Sequence, residues 1–335
     1  MDLLKKLSDA HGPSGNEAEV REIIGKEIKK HVDSVVVDRM GNLIAHKKGK
    51  APHIMLAAHM DEVGYMVEKI KPDGLICVTD VGGVMTDLVL GQKVHIMTKE
   101  GHVSGVISHP DLSMGKELKK LPRTSQLRID TGMKKEDLVK KGVRIGCYVK
   151  FAQKAFVTGK SIIGKAMDNR IGCYILLEVA KKLNTPHGVY FVFTVQEEMG
   201  LYGAKTSAFE IYPDFAIVVD VSASDDKDED PTRCLGKGPT ITAKDGEFIS
   251  NACITDWLVD IAEKYKIPYQ LEAISDGTTD ATNIAITRGG VPSSVLGVPI
   301  RNIHSPESIA DIRDIDNAIK LLQILLRKPP QRYLF

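Results

Sequence analysis

Ile54-Met55-Leu56-Ala57-Ala58-His59 is apolar at every position until it stops at a histidine. Successive side chains of an extended strand point to opposite faces. A run apolar on both faces fits a strand covered on both sides, as in a parallel sheet. Further along the chain the same pattern returns. The runs at 189–195 and 215–219 are again largely apolar, and another strand is expected at 291–296. Helical signals separate them. Ile171, Ile175, Val179 and Leu183 form an i, i+4 stripe on a helix beginning near Asn169. Other helices are expected near 203–209, 251–265 and 312–326. Strands alternating with helices predict an α/β fold with a doubly wound, mixed and mainly parallel sheet.

Toward the N-terminus, Ser14-Gly15-Asn16-Glu17 reads as a capping box. Val20, Ile23, Ile24 and Ile28 then recur at helical spacing. Residues 35–37 and 42–45 read as strands joined by a turn at Met40-Gly41. From about 71 to 160 the texture changes. Gly82-Gly83, Gly91, Gly101, Gly105, Gly142, Gly146 and Gly159 separate short β-type runs at 94–98, 103–107 and 143–151. No long amphipathic helix interrupts them, which predicts a small β-rich domain. The expected organisation is a catalytic domain over 1–70 plus 161–335, with that β-rich domain inserted at 71–160.

The chain has 335 residues, enough for about two domains. Aromatic residues are only 5%, so a core made from its 43% hydrophobic residues must be largely aliphatic. Lys and Arg total 45 against 44 Asp and Glu. That balance offers no basic footprint for nucleic acid and no polybasic arm for a membrane. The cysteines, Cys77, Cys147, Cys173, Cys234 and Cys253, are odd in number and form no C-x-x-C pair. They read as free thiols in a reducing compartment rather than a disulfide framework. The N-terminus lacks the apolar core of a signal peptide, and no apolar run is long enough to span a bilayer. The expected location is the cytoplasm.

His59 ends the first apolar strand. Glu197-Glu198 follows the run at 189–195, Asp220 follows the run at 215–219, and His304 lies soon after the run at 291–296. Each has a local reading that needs no chemistry. Asp168, at the start of a helix, reads locally as an N-cap. The shared placement is what carries information, because open α/β sheets bind ligands beyond the carboxyl ends of their strands. Adjacent glutamates after a buried strand also call for an explanation, since an isolated buried carboxylate is costly and a cation would remove that cost. Asp61 sits two residues beyond His59, the spacing from which a carboxylate can hold a ligating imidazole. Two histidines with carboxylates and no cysteine suit zinc, cobalt or manganese. His59, Asp168, Glu198, Asp220 and His304 exceed what one tetrahedral ion needs, whereas two ions sharing a carboxylate use them all.

Ala57-Ala58-His59-Met60-Asp61-Glu62-Val63-Gly64, Ala166-Met167-Asp168-Asn169-Arg170, Val195-Gln196-Glu197-Glu198-Met199-Gly200, Val219-Asp220-Val221 and Ile303-His304-Ser305-Pro306 resemble the TET-type aminopeptidases. These are the glutamyl and deblocking aminopeptidases, family forty-two of the metallopeptidases, within the co-catalytic dinuclear zinc exopeptidases. The resemblance implies a metal-dependent aminopeptidase that cleaves short peptides with a free N-terminus. It implies two divalent ions per subunit, zinc or cobalt ahead of manganese. Asp168 would bridge them, His59 and Asp220 would complete one site, and Glu198 and His304 the other. Glu197 would be the general base acting on a metal-bridging hydroxide, and Asp61 would orient His59. The inserted domain would be a PDZ-like barrel serving dimerisation and assembly into a tetrahedral dodecamer. Ser275-Asp276-Gly277-Thr278-Thr279-Asp280-Ala281 resembles the family's G-G-T-D-A motif with Thr278 in place of its second glycine, and Ser222 stands where threonine is common. Two other functions compete: a metal-stabilised glycan hydrolase of endoglucanase type, and a non-catalytic assembly protein with structural metals.

Overall fold

The computed structural model describes residues 1–332. Its larger sheet has eleven strands. At the centre, Lys50–His59 lies between His187–Thr194 and Phe215–Ala223, and Ser293–Arg301 lies beyond the latter, all paired in parallel. These strands contain the apolar runs of the sequence. The two-residue period sorts their side chains. Ile54, Leu56 and Ala58 enter one core with Phe191, Phe193, Ile217 and Leu296. Met55 and Ala57 enter another with Val192, Ala216, Val218 and Val295. Helices Asp2–Asp9, Ala18–Ile28, Met167–Lys181, Ala252–Lys264 and Ile312–Arg327 pack into the first core. Helices Tyr202–Ile211 and Ala281–Ala285 pack into the second. Burial on both faces is therefore what makes the sheet doubly wound.

Antiparallel strands finish the edges. Ser34–Val37 and Leu43–Lys47 extend the sheet beside His187–Thr194. Ser308–Asp311, Ser161–Gly164 and Phe156–Thr158 extend it beyond Ser293–Arg301. Thr240–Lys244 pairs with Ser293–Arg301 and with Gln270–Ala273.

The second sheet is a closed barrel of Gly64–Ile70, Ile76–Val81, Arg128–Asp130, Gly101–Ser108, Lys93–Thr98 and Tyr148–Phe151. Alternate residues fill it, among them Tyr65, Val67, Ile76, Val78, Val94, Ile96, Val149 and Phe151. Its strands span 64–151, whereas the glycine-rich texture suggested 71–160. Two turns account for the offset. Pro72-Asp73-Gly74 closes a hairpin inside the barrel, with Gly74 at φ 93°. Phe156–Thr158 and Ser161–Gly164 form a second hairpin around Gly159, and it belongs to the edge of the large sheet.

The capping box is also replaced. The helix Ala18–Ile28 has no side-chain cap bond. The Ser14 hydroxyl donates instead to Asp61 Oδ2 at 2.5 Å. Behind the central strands, Glu62, Lys165 and Arg170 form a buried charge group. Glu62 Oε2 accepts from Lys165 Nζ at 2.6 Å and Oε1 lies 3.4 Å from Arg170 Nη2. Arg170 is fully buried and also donates to the carbonyls of Met60 and Leu7. Removing one member of such a group typically costs about 3–5 kcal/mol, because the partner is left charged and unpaired. The group ties the N-terminal segment to the loop that follows His59. All the cysteines are free thiols. Among the described residues no helix is long and apolar enough to cross a membrane.

Candidate metal centre

The central strands deliver most of the site. His59 is the last residue of its strand. Glu197 and Glu198 follow His187–Thr194, and His304 follows Ser293–Arg301. Asp220 was expected just beyond its strand, but the strand continues through it to Ala223. Asp168 belongs to the first turn of Met167–Lys181, yet its φ of −81° and ψ of 106° are not helical. It is therefore no ordinary helix cap. Ala166, Gln196 and His304 take φ of 52°, 53° and 58°. Left-handed backbone costs a non-glycine residue about 1–3 kcal/mol, and here it occurs at the turns that aim the site's side chains.

Asp168 lies at the middle of the cluster. Its Oδ1 is 3.0 Å from His59 Nε2 and its Oδ2 is 3.1 Å from His304 Nε2. His59 Nε2 is also 3.7 Å from Asp220 Oδ1 and 4.0 Å from Glu197 Oε2. His304 Nε2 is 3.4 Å from Glu198 Oε2. The neighbouring glutamates thus serve different sides: Glu197 faces the His59 and Asp220 side, Glu198 the His304 side. Two overlapping groups could hold a metal ion: His59, Asp168 and Glu198, and His59, Glu197 and Asp220.

Asp61 stands behind this layer. Its Oδ1 lies 3.4 Å from His59 Nδ1. Its two oxygens also accept the backbone N–H groups of Glu197 and Glu198, at 3.1 and 3.2 Å. One carboxylate therefore lies beside the imidazole and holds the backbone of both glutamates. Asn169 contributes in a similar way, donating from its side chain to the Val219 carbonyl next to Asp220.

The electrostatics fit a cation. Burial, with Asp220, Asp280 and Glu198 nearby, pushes the Glu197 carboxyl well up. Burial and Asp168 push Glu198 up to about 8. Burial, with Asp168 and Asp280 adding, pushes Asp220 up to about 8. Burial lowers both imidazoles, but the surrounding carboxylates outweigh it, holding His59 well above its usual range and His304 up to about 9. Asp168, despite burial, is held low by the hydrogen bonds from His304 and His59. So many carboxylates cannot all be ionised in a buried space on their own. A divalent cation would stabilise their charged forms and free the imidazole nitrogens to ligate. Glu198 Oε1 is buried and has no hydrogen-bond partner, which leaves it available as a donor atom.

Several contributors were not assigned from sequence. Asp280 is fully buried and accepts from the Thr194 hydroxyl at 2.5 Å, with its charge felt by His59 and Glu197. Its only signal was its place in the Thr278-Thr279-Asp280 stretch. Ser14 steadies Asp61, and nothing local pointed there. Gly82 and Gly83 come from the barrel. A Cβ on Gly82 would lie 3.0 Å from Glu198 Cβ, and one on Gly83 would lie 3.4 Å from His304 Nδ1. The Met85 N–H also donates to the His304 carbonyl at 3.0 Å. The barrel thus forms one wall of the site. Thr278, in contrast, causes no backbone conflict, because the positive φ of this turn belongs to Gly277, at 74°.

All of these residues border or support one cleft of about 540 Å³. An α/β sheet carrying two histidines and several carboxylates at its strand ends is an arrangement that could hold metal ions at a hydrolytic centre. The chain belongs to the M42 glutamyl aminopeptidase family, whose model matches residues 41–321. A second, short model described as AMPT matches residues 1–24. The chain is 36% identical to a lysyl aminopeptidase of Pyrococcus furiosus, over 98% of this chain and 96% of that protein. It superposes on an aminopeptidase of the archaeon Desulfurococcus kamchatkensis with a TM-score of 0.93, at 38% identity, covering 98% and 94% of the two chains. It also matches the TET1 peptidase of Pyrococcus horikoshii, described as able to assemble into a tetrahedron or a large octahedral shell. That TM-score is 0.87, at 32% identity, covering 98% and 99%. The protein is thus an enzyme that hydrolyses peptide bonds, of aminopeptidase type.

Proposed function

We propose that this chain is a metal-dependent aminopeptidase that removes the N-terminal residue of short peptides. One observation carries the reading: His59 and His304 converge on Asp168 amid the buried carboxylates Glu197, Glu198 and Asp220. Asp168 would be shared by two divalent ions, with His59 and Asp220 on one and Glu198 and His304 on the other. Bound there, the ions would acidify a water and polarise the scissile carbonyl. Glu197 takes the proton from the attacking water and delivers it to the leaving amine. Asp61 holds His59 and the backbone of both glutamates, so the base and the ligands keep their spacing. Zinc or cobalt suits this donor set, with manganese a third candidate.

Chelation tests the reading. Exhaustive treatment with a chelator is expected to abolish cleavage of aminoacyl p-nitroanilides, and zinc or cobalt should restore it. Undiminished peptide cleavage by protein stripped of metal would sink the proposal. Hydrolysis confined to glycans would favour the glycosidase alternative, which needs two carboxylates but no metal pair.

The barrel suits an assembly role. Its connecting segments expose Leu112, Met114, Leu121, Val139 and Ile145, apolar side chains that a subunit contact would cover. We assign it to homo-oligomerisation, by dimers that build a hollow particle like that of the TET1 relative. Light scattering should return a mass many times that of one chain. A monomer at micromolar concentration would overturn this assignment.

A further inference from the structure

The cleft bordered by His59 and His304 is also lined by a second group of buried carboxylates, Glu272 and Asp245, which are only 4% and 3% exposed. Glu272 lies on Gln270–Ala273, where it is the register partner of Thr242 on Thr240–Lys244; Asp245 follows directly after that strand. Each carboxylate is only half satisfied. Glu272 Oε1 accepts from the Ser222 and Thr242 hydroxyls, at 3.0 and 2.5 Å. Its Oε2 has no hydrogen-bond partner. Asp245 Oδ1 accepts the N–H groups of Glu247 and Phe248, at 2.8 and 2.7 Å. Its Oδ2 likewise has none.

A buried carboxylate oxygen without a donor is costly and calls for a partner. Among the described residues no cation is paired with either carboxylate: Lys244 Nζ lies near Asp245 but donates to the carbonyls of Asp245 and Ile274, at 2.6 and 3.3 Å. Arg233 borders the cleft, but its guanidinium is engaged with Asp225, 3.2 Å from Nε to Oδ2. Asp226 is similarly taken up by Arg301. Two carboxylates of the acidic run at 225–230 are therefore already paired with arginines. The same cleft is also lined by the apolar side chains of Val221, Ile274 and Val295. Such a lining suits the methylene stem of a long side chain with a charged head.

We propose that Glu272 and Asp245 form the pocket for the substrate's first side chain and select a cationic one, lysine or arginine. The proposal rests on the aminopeptidase reading, in which the α-amine of that residue sits at the metal centre. The cationic head would supply the missing donors of Glu272 Oε2 and Asp245 Oδ2. An acidic first residue is rejected by the same charges, and a neutral one leaves both carboxylates unpaired.

The test compares substrates and variants. The metal-loaded protein is assayed on Lys, Arg, Leu and Glu p-nitroanilides. A charge-assisted contact supports a preference for Lys and Arg over Leu of at least about tenfold in kcat/KM. In Glu272→Gln the amide oxygen can still accept from Ser222 and Thr242, so the local bonds survive. Its Lys-to-Leu ratio is expected to fall about tenfold, mainly through KM, and Asp245→Asn should move it the same way. Calorimetric binding of L-lysine and L-leucine gives a readout that needs no turnover. Tighter lysine binding that Glu272→Gln removes, with no anilide cleaved, would retain the pocket and sink the aminopeptidase reading. Good cleavage of Leu or Glu substrates with no preference for basic ones would do the reverse. Ratios unchanged in both variants would also overturn the pocket.

Discussion

Glu197→Gln is expected to keep both metal ions and to lose about 100- to 10,000-fold in turnover, the scale of a general base. The amide has nearly the shape of the carboxyl, and the backbone N–H of residue 197 would still donate to Asp61. What disappears is the ability to take a proton. The substitution also removes one carboxylate from a crowded, buried set, so it should not unfold the protein. The geometry leaves two roles for this side chain. Its carboxylate lies 4.0 Å from the His59 imidazole, and with His59 and Asp220 it forms one of the groups that could hold an ion. Metal content separates the roles. Elemental analysis showing full occupancy with little turnover makes Glu197 the base. Loss of an ion together with activity would make it a ligand. Near-normal cleavage would remove it from the chemistry altogether.

The parts of this molecule that sequence made legible are those where one physical rule dominates. Residues 54–58 are apolar on both faces because helices cover both faces, and a run of that kind has few other uses in a soluble α/β sheet. His59, Glu197, Glu198 and His304 could be grouped because strand ends in such sheets face one crevice. The less legible parts depend on long-range contacts. Ser14 had every local feature of a helix cap, yet its hydroxyl goes to Asp61, far along the chain. Asp168 read as a cap as well, and its carboxylate instead faces two histidines. The barrel limits were less legible because Gly74 and Gly159 both sit in hairpin turns, one inside the barrel and one on the other sheet. Glu272 could not be singled out at all. Its importance comes from what Oε2 lacks, and a missing partner leaves no mark in a sequence.

The barrel and the large sheet are chemically coupled at His304. That residue leaves Ser293–Arg301 with a left-handed backbone, and its carbonyl accepts from Met85 of the barrel. Gly82 and Gly83 pass close to Glu198 and His304; a methyl group on Gly82 would be tight, and one on Gly83 would touch the His304 ring. An inserted domain that served assembly alone would have no reason to approach the ligands. The barrel therefore meets the site on the side of Glu198 and His304, while His59 and Asp220 belong to strands of the sheet.

Asp168→Asn is expected to empty the centre, with metal affinity falling more than about 100-fold, beyond the 10- to 100-fold typical of an outer-shell partner. Turnover should disappear with the metal. The argument starts from geometry. His59 ends one central strand and His304 follows another, with Phe215–Ala223 between them. Their Nε2 atoms nevertheless approach the two oxygens of one carboxylate, at 3.0 and 3.1 Å. A residue facing both imidazoles with separate oxygens is the natural group for two ions to share. Asparagine keeps the size and one carbonyl oxygen but replaces the other with an N–H donor and removes the charge. One ion would then lose an anionic ligand, and the other would meet a donor. Alanine at the same position should give the same loss, which separates charge from shape. Titration of the metal-free variant with zinc, together with elemental analysis, checks the result. Two ions retained per subunit would refute the bridging role. One ion retained would place Asp168 in a single site and leave the pair to the remaining carboxylates.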